Sequence, residues 1–399
     1  MLARRRAPLL LILLTLVAVA GACSRNPAGP SGAATILVDP AGGGDYTTIQ
    51  EALDAAAPGD TVLVAPGVYQ GNGNRDLDFA GEAVCLRSIA GAGSTVIDCG
   101  GGARGFTCTS GEGPLSVVDG FTIRDGLRSQ GGAIYCDGSS PSFRNALVIG
   151  NTATSEGGGA FLRNGSSPSF SNVRFEGNSA LGFDGGGVFC LASSPSFTDV
   201  EFRANTASSG GGVHAIFSDF QISEAVFDSN SVTLSGGGLY LGGSDPALDG
   251  VVFFENQALE GAAVYCDASS PTITHTTMAR NAAVTGAGVF CAGASNPTIT
   301  NTVLAFSTLG GALYCSDETD LPVTTHCCVH ENADDDSLCG TYFENIFVDP
   351  LFCNLNGGDL RLSPGSPCLP ASNAWGERVG ALGEGCLPTR RSSNEGGRL

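Results

Sequence analysis

The sequence predicts an all-β protein in which one chain winds into a solenoid of stacked β-coils behind an N-terminal capping helix. Three observations support this fold class. A unit of 24 to 28 residues recurs eight times between residues 131 and 315. Apolar residues within the unit do not follow helical spacing. When the units are aligned, each position carries the same kind of side chain. A fixed period of this length is typical of solenoids, in which each unit stacks on its neighbours.

Each unit opens with small residues, then an aliphatic residue, then a ring. The residue two positions before the ring is always Gly or Ala. The rings are those of Tyr135, Phe161, Phe189, His214, Tyr240, Tyr265, Phe290 and Tyr314. Because strand side chains alternate between faces, we expect these rings to point outward, opposite to the aliphatic column.

The second half of each unit carries two apolar columns that are spaced by two residues and so share one strand face. One contains Phe175, Phe202 and Phe227, and the other contains Val173 and Val200. This face must be the interior. Three residues after the position of Phe175 in each of six units stands an asparagine. These asparagines are predicted to hydrogen-bond from coil to coil as a ladder of Asn151, Asn178, Asn205, Asn230, Asn256 and Asn281.

The flanking segments start and close this array. Residues 35–130 are predicted to form an N-terminal cap and first irregular coils, residues 131–330 the regular repeats, and residues 331–387 a Cys-rich C-terminal cap. Within the N-terminal cap, residues 48–57 are predicted to form an amphipathic helix with a capping box of Thr48 and Glu51. The helix would cover the open β edge of the first coil.

The pairing of Gly131–Ile134 with a Phe-x-x-Asn motif, as in Phe175 to Asn178 and Phe202 to Asn205, resembles the polymorphic outer-membrane protein repeat. That repeat belongs to the right-handed parallel β-helix, or pectin-lyase-like, superfamily. The resemblance covers roughly residues 35 to 385 and implies a single-stranded right-handed parallel β-helix. It also implies either a surface adhesin or a polysaccharide lyase or hydrolase, because the fold hosts both.

The N-terminus indicates export. Residues 1–22 combine three arginines, an apolar run and small residues, which predicts a signal peptide. Cys23 is a candidate lipidation site, although plain cleavage at the same bond stays open. Residues 23–34 are predicted to be a flexible tether and residues 388–399 a disordered tail. We therefore expect an outer-membrane or cell-surface lipoprotein, or a secreted protein.

The net charge is −20 and every basic residue is Arg. This charge disfavours nucleic acid and anionic membranes as partners. The expected partner is a carbohydrate or a surface protein, with membrane attachment only through a lipid anchor, and the chain is expected to be a monomer without cofactors.

Cysteines fall into two groups. Those crowded near the C-terminus are candidates for disulfides, with pairing undetermined: Cys327, Cys328, Cys339, Cys353, Cys368 and Cys386. Cys136, Cys190, Cys266, Cys291 and Cys315 share one inward column with Leu and Ala, which indicates small hydrophobes rather than metal ligands. No metal site is predicted.

Two features could carry function. The outward rings beside small residues could form a strip that stacks on sugars, or the rings could simply stack on one another or lie under loops. Arg174 and Glu201 share one outward column, and Glu176, Arg203 and Asp228 share the next, which predicts ion pairs between coils. An Arg base with acidic partners would indicate a lyase.

No catalytic motif is evident, and the four histidines, including His214, are scattered along the sequence. The sequence therefore favours a cell-surface β-helix that presents a rigid acidic surface for carbohydrate or protein binding. The alternatives are a polysaccharide lyase or glycoside hydrolase acting on acidic glycans, and a passive structural envelope protein. The catalytic residues of such an enzyme are not identified.

Overall fold

The computed structural model describes residues 32–386. The predicted signal peptide, Cys23, most of the tether and the C-terminal tail lie outside the described residues. Within the described range, none of the helices has the length and apolar character needed to cross a bilayer.

The chain winds through about 11 turns of a parallel β-solenoid, and each coil passes through four faces. Faces 1 and 2 belong to one 21-stranded hydrogen-bonded sheet that bends at a corner. Three long strands run through both faces: Ser142–Ile149, Ser169–Glu176 and Ser196–Arg203. The other face 1 strands are Thr35–Val38, Thr61–Val64, Cys85–Ser88, Val117–Asp119, Gln221–Ser223, Ala247–Asp249, Thr272–Thr274, Thr298–Thr300, Val323–Thr325 and Thr341–Phe343. The other face 2 strands are Gly67–Gln70, Thr95–Asp98, Thr122–Arg124, Val226–Asp228, Val252–Phe254, Thr277–Ala279, Val303–Ala305 and Cys328–His330.

Face 3 is short and face 4 completes the coil. The face 3 strands are Leu127–Arg128, Thr152–Ala153, Ser179–Ala180, Thr206–Ala207 and Ser231–Val232. The face 4 strands are Phe106–Cys108, Ile134–Asp137, Ala160–Arg163, Val188–Leu191, Val213–Ile216, Leu239–Gly242, Val264–Asp267, Val289–Ala292 and Leu313–Cys315. All pairings between successive coils are parallel and in register, as the aligned repeats predict.

The corner between faces 1 and 2 is made by one residue per coil in the left-handed backbone region. The corner residues of the regular coils are Asn145, Asn172, Asp199, Glu224, Gly250, His275, Asn301 and His326. Asn and Asp tolerate this conformation better than most residues, and Gly adopts it freely. The sharp bend lets both flanking strands turn alternate side chains into one core.

The core lies along the solenoid axis and is built from the predicted columns. Phe175, Phe202, Phe227 and Phe253 are fully buried, and neighbouring rings stack with centroids 4.7–5.3 Å apart. The predicted alignment of these four residues is confirmed.

The Gly/Ala column before each ring of face 4 faces this core, not the outside as the sequence suggested. A Cβ added at Gly212 would lie 2.5 Å from Cδ1 of Phe227, and one at Gly238 would lie 2.7 Å from Cδ1 of Phe253. Alanine occupies the column at position 263, where the register places Met278 opposite instead of phenylalanine. The column is therefore small because it must fit the ring across the coil.

The asparagine ladder runs through six buried residues from Asn151 to Asn281. Each of the first five side-chain amides donates to Oδ1 of the next coil's asparagine at 2.9–3.0 Å. That same Oδ1 also accepts from the donor residue's backbone N–H at 3.0–3.1 Å. A second, unpredicted set of bonds joins buried serines through a backbone N–H that donates to the next serine's Oγ. It links Ser139 to Ser166 and then runs from Ser193 to Ser295, whose N–H donates to Asp320.

The capping helix spans Ile49–Ala55 and buries Ile49, Ala52 and Leu53 against the first coils. The predicted capping box is wrong in detail. The hydroxyl of Thr48 donates to the Glu51 carboxylate at 2.7 Å, while the N–H of Ile49 donates to Oδ1 of Asn74 at 3.0 Å. A side chain from the following coil thus satisfies the helix N-terminus.

The C-terminal segment, residues 350–386, lies along the outer surface of face 2. It contains an antiparallel hairpin of Phe352–Asn354 and Asp359–Leu362 with a 3₁₀ turn at Leu355–Gly357. Its apolar residues pack on an outward-facing column of face 2. This column contains Arg174 and Glu201 in earlier coils. Beneath the segment it contains Val226, Val252, Thr277, Val303 and Cys328. The change from charged to uncharged residues marks the covered part of the face.

Candidate functional site

The rings of face 4 form one continuous stack. Successive centroids from Tyr135 to Tyr314 lie 4.3–5.7 Å apart with interplanar angles of 26° or less. Phe161 is 2% exposed and His214 is 5% exposed, whereas Tyr314 at the end of the stack is 42% exposed. Ring faces therefore contact one another and leave little surface for a sugar, so ligand binding along this strip stays a prediction.

His214 illustrates the environment of the stack. Its ring lies between Phe189 and Tyr240, at centroid distances of 5.0 and 4.3 Å. Burial lowers the pKa of His214 to about 4, because a charged imidazole is costly in an apolar site. The residue is neutral at physiological pH and serves as an aromatic.

The predicted charge columns on face 2 are confirmed. Arg174 pairs in register with Glu201, and its Nε lies 2.5 Å from Oε2 of Glu201. Arg203 lies 3.5 Å from Asp228 and 3.8 Å from Glu201. The two contacts of Arg203 exceed hydrogen-bond length, so its guanidinium keeps donors for a further acceptor.

A shallow groove of about 280 Å³ runs beside these charges, along the corner between faces 1 and 2. We call it the corner groove. Its walls include Asn172, Asp199 and Glu224 from the corner and Arg174 and Glu201 from face 2. The groove therefore lies parallel to the solenoid axis and is lined by charged and amide side chains.

Two histidines continue the same corner beyond the groove. His275, Asn301 and His326 occupy it on consecutive coils. Nδ1 of His275 lies 2.9 Å from Oδ1 of Asp249, and Nε2 of His326 lies 2.7 Å from Oε2 of Glu344. His275 and His326 are distant in sequence but lie in one line, and a count of the corner column from Asn145 onward would have predicted this.

The carboxylate of Asp249 is held in its charged form. Burial alone would raise the pKa of Asp249, but hydrogen bonds from His275 and Thr274, with the positive charge of Arg378, lower it. A charged carboxylate on one imidazole nitrogen orients the ring and leaves the other nitrogen for proton transfer.

A loop of the C-terminal segment covers this part of the corner. The ring of Trp375 stacks on His326 at 4.7 Å, and Gly380 donates its N–H to the carbonyl of Asn301 at 2.8 Å. Three buried polar atoms here have no hydrogen-bond partner within residues 32–386: Oδ1 of Asn301, Nε1 of Trp375 and Nε of Arg378. Buried polar groups are normally paired, so this concentration marks the corner as a candidate site.

The cysteines differ in part from the prediction. Cys353 pairs with Cys386, both of them predicted candidates, but Cys339 pairs with Cys315. The sequence assigns Cys315 to the inward hydrophobic column, yet it lies in the last face 4 strand, where the closing loop of residues 331–340 brings Cys339 alongside. Cys327, Cys328 and Cys368 are buried free thiols.

The other cysteines of the column, Cys136, Cys190, Cys266 and Cys291, are fully buried. They fill the core as small hydrophobic residues. The described part of the chain contains no group of three or more side chains that could hold a metal ion.

Comparisons with known proteins agree on the fold. The family described as the right-handed β-helix region matches residues 91–253. A pectate lyase crystal structure is similar over 90% of this chain and 98% of its own, with 16% identity and a TM-score of 0.55. A mannuronic acid specific family 6 polysaccharide lyase from human gut microbiota is similar over 83% of this chain and 79% of its own, with 12% identity and a TM-score of 0.42. No curated protein matches the sequence.

The pectate lyase shows the fold alone at this identity, and the weaker similarity adds no argument. The resemblance to the polymorphic outer-membrane protein repeat is not confirmed by these matches and stays a prediction. The parallel in-register coils and the family match over residues 91–253 show that the chain folds as a right-handed parallel β-helix, a fold that the pectate lyase shares.

Proposed function

We propose that the protein is a polysaccharide lyase that cleaves an acidic glycan bound along the corner groove. The observation that carries the proposal is the His275–Asp249 pair, which lies on the line of the groove and close to Arg378. This arrangement supplies a base, a carboxylate that orients it and a cation.

The reaction follows from these groups. In a uronate unit, Nε2 of His275 would take the proton from C5, the carbon next to the carboxylate. The electron pair forms a double bond between C4 and C5, the C4–O4 bond breaks, and O4 leaves with the rest of the chain and takes up a proton from solvent. Arg378 would neutralise the uronate carboxylate, which makes the C5 proton more acidic, and a well-placed base of this kind contributes about 10²–10⁴-fold to rate.

The substrate class is supported by the fold and by the groove. A pectate lyase shares the fold over nearly its whole length, and Asn172 in the corner groove offers amide donors to carboxylates and hydroxyls. The net charge of −20 opposes a polyanion at long range. Activity should therefore rise when salt is added to a dilute buffer, because salt screens this repulsion.

The test uses purified protein with polygalacturonate and with alginate. Release of the unsaturated uronate end group is followed by its ultraviolet absorbance. We expect activity on at least one polymer and a loss of about 10²-fold or more in His275→Gln. His330→Gln, a histidine on face 2 away from the groove, is the matched control and should keep full activity.

Wild-type protein that releases no unsaturated product from either polymer would refute the lyase. Full activity of folded His275→Gln would refute the assigned base.

A second function, glycan binding at the cell surface without cleavage, is favoured by one observation. Arg174 is already paired with Glu201 at 2.5 Å, so this cation of the groove is largely neutralised. Binding of a polyuronide without product release would support this function, with export by the N-terminal signal as part of the same proposal.

A further inference from the structure

A second cleft opens between the C-terminal segment and face 2. Its volume is about 520 Å³, and we call it the flank cleft. Val226, Val252 and Phe254 form its floor, and Asn356 to Gly358 of the C-terminal segment form one wall. Val226 also lines the corner groove, so the two depressions adjoin across face 2.

Arg203 is the residue best placed to serve both depressions. It lines the flank cleft and also contacts Glu201, which lines the corner groove. Its side chain is 48% exposed, and its carboxylate contacts of 3.5 and 3.8 Å leave N–H donors free. A guanidinium with free donors beside an open cleft matches a carboxylate in a two-bond geometry.

The opposite end of the cleft is held in place by a network that crosses to the C-terminal segment. Nε of Arg280 lies 2.9 Å from Oε1 of Glu255, and its Nη1 donates to Oδ1 of Asn356 at 3.2 Å. Gly358 adopts a left-handed φ of 73°, and a Cβ added to it would lie 3.7 Å from Cε1 of Phe254, so its bare backbone faces this ring. Bare backbone beside a ring gives the cleft an amphipathic floor, which suits a sugar ring with one apolar face.

The length of the cleft also fits a sugar chain. The lining runs from Arg203 through the coil of Val226 to the coil of Glu255, which is two coil steps, or about 10 Å, at the strand spacing of a sheet. One pyranose unit is about as long as one coil step, so a short run of sugars spans the cleft. The floor, the wall and the free donors of Arg203 thus point to the same ligand class.

We propose that the flank cleft binds further uronate units of the polysaccharide held in the corner groove, with Arg203 as the carboxylate-binding residue. This inference rests on the proposed substrate class but not on cleavage, since the cleft contains none of the groups assigned to the reaction. The cleft thereby selects long chains over short ones.

The test is calorimetric binding of a short and a long oligogalacturonate to wild type, Arg203→Gln and Arg128→Gln. Arg128 is the matched control, because it is also a partly exposed arginine paired to an aspartate, Asp76, on another part of the surface. We expect Arg203→Gln to weaken binding of the long oligomer roughly tenfold, as the loss of one charge-assisted contact predicts. Binding of the short oligomer, and every affinity of Arg128→Gln, should match wild type.

Equal affinity of Arg203→Gln and Arg128→Gln for the long oligomer overturns the flank cleft, whether or not the protein cleaves polymer. Arg203-dependent binding by a protein that releases no product overturns the lyase and supports the cleft. Urea unfolding midpoints that agree among the three proteins exclude a folding defect as the cause of weaker binding.

Discussion

The fit between the small column of face 4 and the rings of face 2 gives the sharpest stability prediction. Gly212→Ala places a Cβ about 2.5 Å from Cδ1 and 2.8 Å from Cε1 of Phe227, which is fully buried. Neither the ring nor its stacked neighbours can move away easily. We expect a loss of about 1–3 kcal/mol in the free energy of unfolding, the usual range for overpacking a core.

The same structure predicts rescue. Position 263 is alanine where Met278 stands opposite, so Gly212→Ala combined with Phe227→Met recreates a pair that the chain already contains. The cost of the alanine should fall to about 0.5 kcal/mol or less when Phe227→Met is already present. Urea unfolding followed by circular dichroism measures wild type, the two single variants and the double variant.

An equal cost of Gly212→Ala in both backgrounds, within about 0.5 kcal/mol, would refute the reasoning. That result would assign the clash to the backbone carbonyl of Gly238, which lies 2.7 Å from the same added Cβ.

Three further predictions follow from the ladders, a buried carboxylate and a disulfide. Asn205→Ala should lower the free energy of unfolding in urea by about 3–6 kcal/mol, because it leaves two buried donors of Asn178 and the carbonyl of Phe175 unpaired. As a control, the exposed Asn296→Ala should lower it by under about 1 kcal/mol. Equal losses would contradict the role of the asparagine ladder. The pKa of Asp98 is lowered in the folded protein because hydrogen bonds from Gln70 and Arg124 outweigh burial. The charged carboxylate therefore stabilises the fold above about pH 4, and this stabilisation is lost as pH falls through the folded pKa. Asp98→Asn should lower the free energy of unfolding at neutral pH but not in strong acid, and a loss that persists in acid would exclude this linkage. Replacing Cys353 and Cys386 with Ser should speed amide hydrogen exchange in residues 352–382 and leave the exchange rates of residues 131–315 unchanged. Unchanged exchange in both regions would show that packing alone holds the C-terminal segment in place.

The fold could be predicted from the sequence because each column carries the same kind of side chain through many coils. Phe175 and Asn178 recur with their neighbours at a fixed spacing, and a parallel in-register stack is the arrangement that aligns such columns. The ladder of asparagines and the charge pairs of Arg174 and Arg203 followed from the same alignment.

The candidate site could not be predicted in this way, because it depends on a contact with residues that do not belong to the repeat. The C-terminal segment folds back over face 2, and no spacing rule connects Arg378 to Asp249. For a related reason the sequence left open whether the outward rings, such as that of Phe161, are covered or accessible. Strand alternation fixes the direction of a side chain but not whether a neighbouring turn covers it.

The two ends of the solenoid are finished differently, and this affects how the array could change in length. The helix Ile49–Ala55 closes one end, whereas the last strand of face 1, Thr341–Phe343, pairs on one side only and all three of its residues are exposed. The C-terminal segment packs on a fixed set of coils, from the one carrying Val226 to the one carrying Cys328. A whole extra coil is therefore best accommodated before the strand Ser142–Ile149, where it would lengthen the molecule and leave the C-terminal segment, the corner groove and the flank cleft intact.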